Sequence, residues 1–155
     1  MGIEIERKFL LADATWRDAV SRSVRMHQGY LGGDATASVR VRLEGDEARL
    51  NIKGATLGVE RLEFDYVIPR ADAETMLATL CGTRTLSKVR HFVEHGGHTW
   101  EIDEFEGTNA GLVVAELELA AVDEAFERPG WLGEEVSDDP RYYNACLVEH
   151  PYADW

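Results

Sequence analysis

In segment after segment of this 155-residue chain, charged and apolar residues alternate with a period of two. Successive strand residues point to opposite faces of a sheet, so each such segment reads as a strand with one charged and one apolar face. In 3–9, Glu4, Glu6 and Lys8 share a row. In 38–43, Ser38, Arg40 and Arg42 oppose Val39, Val41 and Leu43. Arg49, Asn51 and Lys53 oppose Leu50 and Ile52; Arg61, Glu63 and Asp65 oppose Leu62, Phe64 and Tyr66. Further on, Lys88 and Arg90 flank Val89. Glu101 and Asp103 oppose Trp100 and Ile102, and Glu116 and Glu118 oppose Ala115, Leu117 and Leu119.

Strand-like runs fall near 2–11, 24–32, 36–44, 47–54, 59–68, 85–95, 98–106 and 112–121. Gly32-Gly33-Asp34, Gly45-Asp46 and Gly96-Gly97 supply tight reversals between them, which implies consecutive hairpins and an antiparallel sheet. Eight strands suffice to close a barrel. Three helices interrupt the pattern. A short one near Trp16–Val20 is capped by Asp13 or Thr15. A second follows Pro69, with Ala73, Met76, Leu77 and Leu80 at helical spacing and Gly82 as its stop. A third is opened by Asp139-Pro140 and runs through Tyr143 and Leu147. The expected class is α+β within one domain, 1–155.

Two readings of the alternation stand side by side. An open sheet would turn its charged face to water and its apolar face to a core. A closed sheet with the charged face inward would make an ion-lined bore, its apolar faces packed outward against helices. The charged rows contain almost no Ser, Thr or Gln, and cations concentrate on some strands, acids on others, which favours the bore. Lys8, Arg40, Arg42, Arg49, Lys53, Arg61, Lys88 and Arg90 then face Glu4, Glu6, Glu63, Asp65, Glu101, Asp103, Glu116 and Glu118. Such a bore is wet, because desolvating an ion costs several kcal/mol unless it is well partnered. Its carboxylates suit Mg²⁺ or Mn²⁺, and its guanidinium and ammonium groups suit phosphate.

Composition bounds the partners. The net charge of −13 argues against a nucleic-acid or acidic-lipid surface. The two cysteines, Cys81 and Cys146, suggest neither a disulfide framework nor a zinc site. No leader and no bilayer-length apolar run is read in the sequence, so the expected setting is the cytoplasm, away from membranes. The oligomeric state stays open, a homodimer included. His91, His95 and His98 read as strand and turn residues, Arg7 as an outer-row residue, and Glu134, Glu135, Asp138 and Asp139 as a solvated acidic loop.

These rows resemble a known family. Glu4-Ile5-Glu6-Arg7-Lys8 is similar to the E-x-E-x-K signature of the CYTH superfamily, the triphosphate tunnel metalloenzymes. Arg40-Val41-Arg42 resembles its R-x-R, Leu50-Asn51-Ile52-Lys53 its basic fourth strand, and Lys88-Val89-Arg90 its K-x-R. Trp100 to Phe105 and Glu116-Leu117-Glu118 resemble its late acidic strands, and 130–142 extends the likeness. The resemblance implies an eight-stranded antiparallel tunnel that hydrolyses triphosphate with a divalent metal. It implies metal binding by Glu4, Glu6, Asp103, Glu116 and Glu118. Phosphate would be held by Lys8, Arg40, Arg42, Lys53, Lys88 and Arg90, with Arg61 on the same face. Gln28-Gly29-Tyr30 is similar to the segment whose tyrosine partners the signature lysine, making Tyr30 the candidate acid–base partner of Lys8; either a second metal generates the attacking hydroxide, or Lys8, its pKa lowered among the tunnel's cations, deprotonates Tyr30 or a water. Inorganic triphosphate is the leading substrate. Adenylate cyclase or nucleoside or thiamine triphosphatase chemistry on the same fold is the alternative, and a non-catalytic polyphosphate-binding module the alternative of another class.

Overall fold

The computed structural model describes residues 2–55 and 59–155. Its strands are β1 (Ile3–Leu11), β2 (Val20–Gly33), β3 (Ala37–Glu44), β4 (Glu47–Gly54), β5 (Glu60–Val67), β6 (Thr85–His95), β7 (His98–Phe105), β8 (Val113–Glu118) and β9 (Leu132–Glu135). They form one antiparallel sheet in the order β5-β4-β3-β2-β6-β7-β8-β1-β9, and pairing of β5 with β1 closes strands β1 to β8 into a barrel. The bridge that closes it is short: Ile3 pairs with Leu62, Glu4 with Arg61 and Ile5 with Glu60. Beyond that point β1 leaves β5 and pairs with β9 instead, Phe9 opposite Glu135 and Leu11 opposite Leu132.

The hairpin turns follow their residues. Gly96 and Gly97 both have positive φ, 58° and 78°, as a two-residue turn between twisted strands demands. Gly29 answers a different need, since a Cβ there would lie 2.7 Å from Cys81 Sγ. The helix after Pro69, α1 (Arg70–Thr79), lays Ala73 and Leu77 on Val41 and Ala48 of β3 and β4. A larger core lies outside β1, β7 and β8. There Phe9, Trp100, Ile102 and Leu117 are covered by Trp16, Phe126 and Trp131, with Trp100 edge-on to Phe9 at 5.7 Å and to Trp131 at 5.5 Å. Each fully buried side chain of this kind contributes about 1.5–3 kcal/mol.

Several boundaries differ from the sequence expectation. β2 begins at Val20, four residues early, because a bulge between Val20 and Arg22 keeps it paired to β6. The short helix near Trp16 is a single 3-10 turn, Thr15–Ala19. β8 ends at Glu118 rather than near 121. Part of the expected acidic loop is β9, drawn into the sheet by β1, with Arg7 Nε donating to Glu135 at 2.9 Å on the outside of the barrel. The C-terminal helix is broken into a 3-10 turn, Pro140–Tyr142, and one α-turn, α2 (Asn144–Leu147). Helices cover less of the outer wall than expected, with α1 on β3 and β4 alone.

Candidate active site

Register turns the alternating rows into a lining. Lys8 stands opposite Glu116 and Glu6 opposite Glu118; Glu101 faces Glu116 and Arg90 faces Asp103. Tyr30 faces Arg40, Ser38 faces Lys53 and Arg40 faces Asn51. The charged parity points inward, around a cavity of about 430 Å³. Every residue that the sequence named for metal or phosphate lines it except Asp103, which lies just behind the surface and is wholly buried.

At one end the inward rows turn apolar. Leu10 follows Lys8, Leu86 precedes Lys88, Phe105 follows Asp103 and Val114 precedes Glu116. Tyr142 and Leu147 of the C-terminal segment pack onto them, closing that end. Lys8 anchors the segment: its backbone carbonyl accepts from Val136 N at 2.8 Å and its ammonium reaches the Tyr142 carbonyl at 3.5 Å. Asn144 Oδ1 accepts from Lys88 Nζ at 2.9 Å and from Gln28 Nε2 at 3.1 Å, tying α2 to the lining. The other end is the mouth, where Arg22, Asp65 and Glu118 are exposed and the Arg22 guanidinium sits 3.7 Å above the Phe92 ring.

Charge inside is sorted. Both Asp103 oxygens are taken, Oδ1 by Arg90 Nε at 2.7 Å and Oδ2 by Lys88 at 2.7 Å and Arg90 at 2.8 Å. Arg90 also pairs with Glu101 and Glu116. Arg61 Nε donates to Glu4 at 2.8 Å, and Lys53 reaches Glu4 at 3.3 Å and Glu63 at 3.2 Å. Arg40 has no carboxylate partner among the described residues; it bonds only to Asn51 Oδ1. Arg42 reaches Glu44 at 2.9 Å at the mouth but leaves its buried Nε unpartnered.

The protonation equilibria record this sorting. Burial, then the Arg40 and Arg90 charges, draw Arg42 down to about 10. Burial and Arg40 also lower Lys53. Burial draws Lys88 down to about 8, Asp103 resisting and Arg90 assisting. Lys8 goes the other way from expectation. Burial opposes its charge, but Glu116, Glu6 and Asp103 outweigh burial and raise it. Among the acids, burial and the Glu116 and Glu4 charges push Glu6 well above the carboxylate range. Glu63 is pushed up to about 7 by burial and its hydrogen bond to Glu4; Glu4 resists its own burial through that bond and the Lys53 and Arg61 charges, and lies at about 2.

Tyr30 lines the cavity as expected, yet among the described residues the Lys8 ammonium meets the Glu116 carboxylate at 3.6 Å and the Tyr143 ring at 5.8 Å, not the Tyr30 hydroxyl. No three acidic or histidine side chains among the described residues form a ready-made metal cluster. The donor chemistry nevertheless fits a hard divalent cation: among the described residues Glu6 and Glu118 have no cationic partner within ion-pair distance, and burial with the neighbouring acids Glu116 and Glu4 pushes Glu6 upward. His95 and His98 face each other across the hairpin and are engaged by Glu127 and Glu124 outside the barrel. Sequence reasoning missed Arg22, Phe92, Tyr143 and Asn144 in the lining. Arg22 shares parity with Gln28 and Tyr30, a signal hidden by starting the strand at 24; the C-terminal pair carried no signal of its own.

A closed antiparallel barrel with a sorted, ion-lined bore defines a tunnel protein for polyanions, and the family profile described as CYTH domain matches residues 2–143. The chain belongs to that family. It is 43% identical over 152 residues to an inorganic triphosphatase of Acetivibrio thermocellus, covering 98% of this chain and 97% of the relative. An inorganic triphosphatase of Nitrosomonas europaea is 34% identical over 149 residues, covering 94% and 96%. A crystal structure of an inorganic triphosphatase superposes with a TM-score of 0.68 at 32% identity, covering 94% of this chain and 93% of that one.

Proposed function

We propose that this protein hydrolyses inorganic triphosphate to diphosphate and phosphate in its bore, with Mg²⁺ or Mn²⁺ as cofactor. The observation that carries the reading is the imbalance inside the cavity: among the described residues Arg40 has no carboxylate partner and Arg42 a buried Nε without one, while Glu6 and Glu118 have no cationic partner. Relatives named inorganic triphosphatase over almost their whole length support the same substrate.

The chain's own residues divide the work. Arg40, Arg42 and Lys53 receive phosphate oxygens, with Lys88, Arg90 and Arg61 held ready by Asp103 and Glu4. Lys8, kept charged, stabilises the charge that spreads over the transferred phosphoryl group. Glu6, Glu116 and Glu118 are the metal set, joined by Glu4; Asp103, with both oxygens committed, positions Lys88 and Arg90 instead. A divalent ion bound there would neutralise phosphate charge and sharpen a water as nucleophile. Tyr30 lies beside Arg40, within the lining, as the proton-relay candidate. The setting proposed is the cytoplasm; no described helix is long and apolar enough to cross a membrane, and both cysteines are free.

The test is phosphate release, with cyclic-nucleotide detection, from triphosphate, ATP and thiamine triphosphate in Mg²⁺, Mn²⁺ or chelator. Triphosphate should be turned over fastest, and only with metal. Glu116→Gln and Lys53→Ala should each lower turnover at least about tenfold without unfolding the protein. Wild-type rates in both variants would remove the site, and tight triphosphate binding without release would leave a binding module.

A further inference from the structure

One cation of the lining has no part in the work described so far. Arg22 stands exposed at the mouth, and among the described residues its guanidinium has no hydrogen bond or ion pair; it lies 3.7 Å above the Phe92 ring. Phe92 continues the inward row of Lys88 and Arg90, an aromatic ring where the pattern of the bore would put a charge, and it is only 8% exposed under that cover. Register fixes where the pair stands. Arg22 is opposite Phe92, Phe92 opposite Glu101, Glu101 opposite Glu116 and Glu116 opposite Lys8. One line across five strands therefore joins the unpaired cation and its ring to an acid of the metal set and to the lysine assigned to the transferred phosphoryl group.

We propose that Arg22 selects the substrate: it receives the outer terminal phosphate of triphosphate, and by covering Phe92 it denies a nucleobase the ring on which it would stack. The inference rests on the reading that the bore takes triphosphate, and it adds how other triphosphates are turned away. Tyr142 and Leu147 shut the far end, so any group esterified to the phosphate chain must point to the mouth. Inorganic triphosphate presents a further charged phosphate there, which a guanidinium binds through charge-assisted bonds. ATP presents a ribose and a flat, neutral base instead. A bare aromatic face beside the mouth would stack that base. The face is taken, and lifting Arg22 off it breaks a cation–π contact while offering the cation no charge in return. Discrimination built this way has an attractive arm for one substrate and an obstructing arm against the other.

The experiment is kcat/KM for triphosphate and for ATP, in Mg²⁺, for the wild type, Arg22→Ala, Arg22→Ala combined with Phe92→Leu, and Arg25→Ala. Arg22→Ala should lower kcat/KM for triphosphate at least about tenfold, as the loss of a charge-assisted phosphate contact requires. It should raise kcat/KM for ATP about tenfold, chiefly through KM, as the uncovered ring becomes a stacking surface. The preference for triphosphate then falls about a hundredfold. Adding Phe92→Leu should remove the ATP gain and keep the triphosphate loss, a split that a change of charge alone would not produce. Arg25→Ala takes the same charge from the outer face of the same strand, where Arg25 pairs with Glu106, and should leave the preference unchanged.

Calorimetric dissociation constants of the metal-free protein for the same two ligands carry the same ratio. A bore that hydrolysed neither would still test the gate, so failure of the triphosphatase reading and failure of this one are distinct results. An unchanged preference in Arg22→Ala overturns the proposal. So does an affinity and kcat/KM for ATP that fail to rise, or a rise that survives Phe92→Leu.

Discussion

Replacing Arg42 with Met should make the ligand-free protein more stable and the enzyme worse. Arg42 is mostly buried, its Nε has no partner, and the cations Arg40 and Arg90 press on it until its pKa falls to about 10. A displacement from 12.5 to about 10 corresponds to roughly 3 kcal/mol by which the folded bore disfavours its charge. Methionine keeps most of the stem's packing and removes the charge, while Glu44, a quarter exposed, stays solvated at the mouth. Allowing for lost contacts, a net gain of about 1–3 kcal/mol is expected, or a rise of several degrees in unfolding temperature. In turnover the sign reverses. A guanidinium on phosphate makes charge-assisted bonds of about 1.5–3 kcal/mol each, so kcat/KM for triphosphate should fall between about tenfold and a thousandfold. Metal-free thermal unfolding and phosphate-release kinetics on the same preparation read both. If Arg42→Met lowers the unfolding temperature, the idea of an anion site kept under repulsion is wrong; if it leaves kcat/KM unchanged, Arg42 does not touch substrate.

Three further outcomes follow from the same geometry. The raised pKa of Glu63, about 7, means that the folded protein holds this proton more tightly than the unfolded chain. The stability it confers is complete below the ordinary glutamate range and is lost as pH rises through about 7. Unfolding temperature of the metal-free protein should therefore fall between about pH 5.5 and pH 7.5, and Glu63→Gln should flatten that slope. Leu147→Ala, in the apolar closure with Leu86, Phe105 and Val114, should cost about 2–4 kcal/mol in denaturant unfolding, where a loss below about 1 kcal/mol would mean that this end is not packed shut. Ca²⁺, larger and less exacting in geometry than Mg²⁺, should compete and inhibit; Ca²⁺-supported hydrolysis at the Mg²⁺ rate would contradict the metal set assigned to Glu6, Glu116 and Glu118.

The barrel was legible because period-two alternation is a local property: which of Arg40 and Val41 faces which side is fixed by the strand itself. The closed end was legible too, in principle, since the row Glu4, Glu6, Lys8 continues into Leu10, and the rows of Asp103 and Glu116 into Phe105 and Val114. The state of Lys8 was not. Its raised pKa depends on β8 lying beside β1, which sets Glu116 opposite it, and no spacing within 3–9 encodes that neighbour. The same holds for Asn144, brought to Lys88 from 56 residues away by a segment that reads only as a helix start. β9 escaped notice because Leu132–Glu135 is short and ends in acids, and it becomes a strand only because β1 offers it an edge. The outer face of β5, where Leu62, Phe64 and Tyr66 are exposed, belongs with these. The alternation predicts an apolar outer face, but which faces receive a helix depends on chain path.

The most direct measurement is a crystal structure with a non-hydrolysable triphosphate analogue and Mn²⁺, using anomalous scattering to place the metal. The account predicts the analogue lying along the bore against Arg40 and Arg42, with manganese beside Glu6 and Glu116. An analogue seated on the outer wall, or manganese away from those acids, would contradict it.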